Sequence, residues 1–149
     1  MEMEKSMENT AQTKTSDTVK ARLFVREMTL ANVTLAIQFL FGMYINLYVK
    51  FPTSGPADAW SFAWHTWPVA VHIILGTLIL LSSISTLVRS IRMKNRHWIT
   101  FISIGVAAML LSVIGGERFI TTQNELASYL MSFGFLAGLL ALNWGLYTQ

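Results

Sequence analysis

The chain has 149 residues, of which 53% are hydrophobic and 13% charged, with no cysteine and a formal net charge of +3. Soluble domains carry about 25% charged residues, so a water-soluble single-domain enzyme is set aside, and the lack of cysteine excludes disulfide frameworks, thiolate metal sites, iron–sulfur clusters and cysteine nucleophiles. A membrane span needs about 20 apolar residues, so four spans with short connections use nearly all of the length and leave no room for a large extramembrane domain.

The first 21 residues are rich in Glu, Lys, Ser and Thr, a composition that predicts a disordered cytoplasmic tail and lacks the apolar core of a signal peptide. Residues 22–149 form the transmembrane domain. Met28 to Val49 contains no Asp, Glu, Lys or Arg and is long enough to cross a hydrocarbon core of about 30 Å. After Lys50-Phe51-Pro52-Thr53-Ser54-Gly55-Pro56-Ala57-Asp58 the chain is uncharged from Ala59 to Val88. That run exceeds one span, which puts its first residues at the interface and the second span at about 64–87. The basic segment Arg89 to His97 precedes a third span at 98–117, and the fourth lies at 126–147. Helices are the only open-ended elements that satisfy their own backbone in lipid. The fold class is therefore all-α: an integral membrane four-helix bundle, up-down-up-down.

Basic residues in short loops set orientation. The tail holds Lys5, Lys14, Lys20, Arg22 and Arg26, and the middle loop Arg89, Arg92, Lys94 and Arg96, whereas the other two connections hold only Lys50 and Arg118. Both termini and the middle loop are thus expected to be cytoplasmic in a multi-pass protein of the cell membrane. These cations flank apolar segments, so the lipid bilayer, and not nucleic acid, is the partner they predict. Trp60, Trp64 and Trp67 fit an outer aromatic belt, and Trp98, Trp144 and Tyr147 an inner one.

Ionisable groups inside a span cost about 2.5–3.5 kcal/mol at the helix centre on insertion scales. His72 is the one placed well inside, roughly 12 Å below the outer end of span two. His65 lies at the outer interface and His97 at the inner boundary. Tyr44 and Tyr48 near the end of span one, Glu117 and Arg118 after span three, and Tyr129 early in span four lie toward the same side. Together with His65 and His72 they predict an outward-facing polar pocket. Gly134 and Gly138 have the small-xxx-small spacing that brings helix backbones together, within the monomer or at a homodimer seam.

Three readings of the pocket stay open. In the first, His72 serves packing through an interhelical hydrogen bond, in a non-catalytic or auxiliary protein that acts alone or with another membrane protein. In the second, His72 ligates a b-type heme, with Met109, Met131, an open position or His72 of a second copy on the other side of the iron, in electron transfer or heme handling. In the third, the site takes a quinone, another small molecule or an ion at Glu117 and Arg118. Phosphate-loop, nucleophile-elbow, His-Glu-Xaa-Xaa-His and dinucleotide motifs are missing from the sequence.

Tyr44-Ile45-Asn46-Leu47-Tyr48, Phe51-Pro52, His72 with Leu75-Gly76, and Gly115-Gly116-Glu117-Arg118-Phe119 resemble a group of small four-span bacterial and archaeal membrane proteins of unassigned function. The chain is also faintly similar to the four-helix heme-binding halves of heme A synthase-like proteins, which place histidines near the outer ends of their spans. That resemblance implies His72 as a heme ligand, although the family pairs histidines on different helices and the other three spans here contain none.

Overall fold

The structure, a computed structural model, describes the backbone of residues 2–52 and 55–148 and the side chains of residues 19, 22–52 and 55–148. It consists of α1 (Glu2–Tyr48), α2 (Pro56–His65), α3 (Trp67–Arg92), α4 (Arg96–Thr122) and α5 (Glu125–Tyr147). Four segments, Arg22–Tyr48, Trp67–Arg92, Arg96–Thr122 and Glu125–Tyr147, are long and apolar enough to cross a membrane, consistent with a membrane protein.

The element boundaries differ from the composition-based spans at three places, each with a local cause. α1 starts at Glu2, ahead of the first apolar run; the stretch has no proline, and its first glycine is Gly42. The side chains of Lys5, Lys14 and Lys20 lie outside the described residues. The second apolar run divides into two helices. Thr66 is extended (φ −92°, ψ 100°), ending α2 and starting α3, and Pro68 sits in the first turn of α3, where its missing N–H has no helical partner to lose. α4 continues through Gly115-Gly116 and Glu117-Arg118 to Thr122. A left-handed Gln123 (φ 54°) terminates it, and the Asn124 side chain caps α5 by accepting from the Leu126 N–H at 2.8 Å.

α1 packs on α3 and α5, α4 packs on α3 and α5, and α2 rests on α3 and α4. The seam between α4 and α5 is the tightest. A Cβ added to Gly134 would lie 2.5 Å from the Ala108 carbonyl oxygen, and one on Gly115 would lie 2.5 Å from the Met131 nitrogen. Ser112 Oγ donates to the Met131 carbonyl oxygen across the seam at 2.8 Å. Helices in lipid gain little from hydrophobic burial against one another, so backbone approach of this kind carries the association. Gly134 and Gly138 therefore pack within the monomer.

On α1, the buried Phe24, Met28, Leu35, Gln38, Gly42 and Ile45 recur at helical spacing and form one stripe. Phe24 and Met28 join Trp98, Ile102 and Met109 in one cluster, in which Phe24 and Trp98 meet edge-on at 5.1 Å. Trp98 is 2% exposed and so belongs to this core rather than to an interfacial belt, whereas Trp64, Trp67, Trp144 and Tyr147 are exposed. A second cluster toward α2 contains Ile45, Ala59, Ala63, Val69 and Ile120. α3 is bound differently from α4 and α5. Its buried residues are Pro68, Val69 and Ser90, all near its ends.

Candidate functional site

The loose packing of α3 along its middle leaves a cavity of about 290 Å³ lined by α1, α3, α4 and α5, with Phe51 and Trp60 at one end. Most of its wall is apolar. Gln38, Asn46, His72, Thr77, Ser112 and Glu117 are the polar residues on it.

Gln38 and His72 meet where α1 and α3 cross, and each fits against a glycine of the opposite helix. A Cβ on Gly42 would lie 2.8 Å from His72 Cε1, and a Cβ on Gly76 would lie 3.2 Å from Gln38 Nε2. Small residues at those two positions are what allow the imidazole and the amide to pass between the helices. Phe41 and Phe135 flank the imidazole, each with its ring centroid 6.1 Å away. Gln38 Nε2 donates to the His72 carbonyl oxygen at 2.6 Å. The remaining valences are unmet: Gln38 Oε1 and His72 Nδ1 are both buried without a hydrogen-bond partner. A buried polar group left unpaired costs about 1–3 kcal/mol, and here the two such atoms belong to residues that line one cavity. That arrangement suits a molecule offering hydrogen-bonding oxygens.

The residues singled out by sequence are only partly brought together. His72, Glu117, Met109 and Met131 line the cavity. Tyr44, Tyr48, His65, Arg118 and Tyr129 are not on its wall. Tyr44 and Tyr48 meet with their rings tilted at 37° and centroids 5.1 Å apart on an exposed face of α1, with exposures of 50% and 71%, and Tyr129 is 72% exposed. The reason is registry. The buried stripe of α1 runs through Gln38, Gly42 and Ile45, and positions 44 and 48 fall beside it. The pocket is consequently more apolar than the sequence suggests. Gln38, 2% exposed, is the functional candidate that a search for ionisable residues misses. The signal was present, since an amide ten residues into an uncharged span needs a partner for the same reason a histidine does.

The other histidines are engaged elsewhere. His65 Nδ1–H donates to the Ser61 carbonyl oxygen at 2.7 Å, and His97 Nε2–H donates to the Gly145 carbonyl oxygen at 2.9 Å, joining α4 to the end of α5. A heme fits this site poorly. Met109 and Met131 do share the cavity with His72, but its volume lies at the bottom of the range for small-molecule sites, about 300–1,000 Å³. Its wall also contains no Lys or Arg to receive a porphyrin's propionates. Among the described residues no cluster of three or more His, Asp or Glu could hold a metal ion.

No protein family, characterised protein or solved structure matches the chain.

Proposed function

We propose that this is a multi-pass protein of the cell membrane that binds a small, largely apolar molecule between its helices, with Gln38 and His72 holding the ligand's polar end. The bundle runs up-down-up-down with both termini cytoplasmic, a reading supported by the basic residues Arg22, Arg26, Arg89, Arg92, Lys94 and Arg96 in the tail and middle loop. The role is binding rather than catalysis: an amide and an imidazole in an apolar chamber are recognition chemistry. The observation that carries the proposal is that Gln38 and His72, which line one cavity, each hold a buried polar atom, Oε1 and Nδ1, without a hydrogen-bond partner.

The test is a ligand survey by thermal unfolding of the protein in mild detergent. A set of apolar molecules with and without hydroxyl or carbonyl groups is compared on the wild type, Gln38→Leu and His72→Phe. Stabilisation restricted to oxygen-bearing molecules, and lost in both variants, is expected. Equal stabilisation of all three proteins would overturn the assignment of the site. The visible spectrum of protein from heme-supplied cells is expected to lack a Soret band; a band abolished by His72→Ala would replace this reading with heme ligation.

A further inference from the structure

The cavity can be followed to its opening. At the α2 end it is narrowed by aromatic packing: Phe51 meets Phe62 at 5.4 Å and Phe119 at 5.5 Å, both edge-on, and Trp60 lies on the same wall, with the exposed Asn46 and Glu117 beside them. At the opposite end the cluster of Phe24, Met28, Trp98 and Ile102 fills the bundle. The side differs. Thr77 on α3 and Val113 on α4 line the cavity and are also exposed, Val113 by 50%. Thr77 is about 15 Å along α3 from Trp67, and Val113 about 14 Å along α4 from Thr122. Both therefore lie near mid-span, with exposed Ile74, Leu78 and Leu110 around them. A window between these residues would face the depth of the hydrocarbon core.

Building on the proposed binding function, we infer that the ligand reaches the site laterally from the bilayer, through this window between α3 and α4, and is a chain-bearing amphiphile with hydroxyl or carbonyl oxygens at its head, the chemistry of a prenylated quinone or quinol. The head lies beside Gln38 and His72, where a hydroxyl can donate to Gln38 Oε1, and the chain leaves through the window into lipid. A water-borne ligand meets Glu117 and the Phe51, Phe62 and Phe119 packing, whereas a lipid-dissolved one meets Thr77 and Val113 with exposed Ile74, Leu78 and Leu110 around them.

The experiment uses the full chain in phosphatidylcholine vesicles. The probe is a ubiquinone bearing one isoprene unit, followed by stopped-flow quenching of tryptophan fluorescence. Ile74→Phe with Leu110→Phe narrows the window at its rim, at positions that do not line the cavity. Both positions are exposed, and Ile74→Phe alone serves if the pair impairs folding. The window variant is expected to slow association and dissociation at least tenfold, with Kd changed less than threefold. Gln38→Leu is expected to weaken Kd at least tenfold at an unchanged association rate. Saturable binding with wild-type rates in the window variant would overturn lateral access while leaving the cavity assignment intact. Absence of saturable binding to wild-type protein, together with failure of every oxygen-bearing molecule to stabilise it in detergent, would overturn both. Binding to wild-type protein in detergent but not in vesicles would overturn the lateral route alone.

Discussion

The two sides of the bundle use small residues in opposite ways. Along α4 and α5, Gly115, Gly134 and Ser112 keep side-chain bulk small so that backbone meets backbone. At the crossing of α1 and α3, Gly42 and Gly76 remove bulk so that His72 and Gln38 can enter, and an unfilled chamber remains beside them. The same substitution should therefore do different things on the two sides. The first is a structural seam, and the second a cradle for polar groups.

The largest expected effect lies at the seam. Gly134→Val places a branched side chain against the Ala108 carbonyl and the Ser112 nitrogen, and should destabilise the fold by about 3 kcal/mol or more, since overpacking against backbone has no cheap relaxation. Thermal unfolding in detergent checks this. A loss comparable to that of a lipid-facing substitution such as Leu140→Val would break the contrast. On the cavity side the sign should reverse. Gln38→Leu removes the unpartnered Oε1 and the bond to His72, and is expected to leave the ligand-free protein equally stable or more stable, by up to about 1 kcal/mol, while ligand-induced stabilisation disappears. A large destabilisation without ligand would make Gln38 a structural residue.

Two smaller effects sharpen the comparison. Ser112→Ala loses one interhelical hydrogen bond at the seam, which in membrane proteins averages about 0.6 kcal/mol, and should lower stability by about that amount. The ion pair between Glu27 and Arg89, 2.8 Å apart with side chains 45% and 48% exposed, joins α1 to α3 near the basic end. Glu27→Gln should cost about 0.5 kcal/mol or less, with the difference fading as salt is raised. A salt-independent loss would mean that this contact holds α3 in place.

Hydrophobic run lengths were enough to anticipate four helices long and apolar enough to cross a membrane, because a bilayer imposes a length that sequence must meet. The division at Thr66 was less legible, since neither charge nor glycine marks it and Pro68 is compatible with either a start or a continuation. At the site, His72 was legible from its isolation in an apolar run. The partner it meets was not, because the register of α1 against α3 depends on which face is buried. Tyr44 and Tyr48 share a face, but the face that carries Gln38, Gly42 and Ile45 turns inward. Spacing identifies faces, and packing chooses among them. Glu27 with Arg89, and His97 with Gly145, join residues far apart in sequence and have no local signature.

The lack of cysteine in the chain makes the central contrast directly measurable. Single cysteines at Ile73, on the cavity wall, and at Ala108, buried in the α4–α5 seam, can be reacted in membranes with a small lipid-permeant maleimide. The account predicts that Ile73→Cys is labelled at least tenfold faster than Ala108→Cys, and that a saturating oxygen-bearing apolar ligand protects it. Equal labelling of the two positions, or labelling of Ile73→Cys that no such ligand slows, would contradict an accessible ligand chamber behind α3.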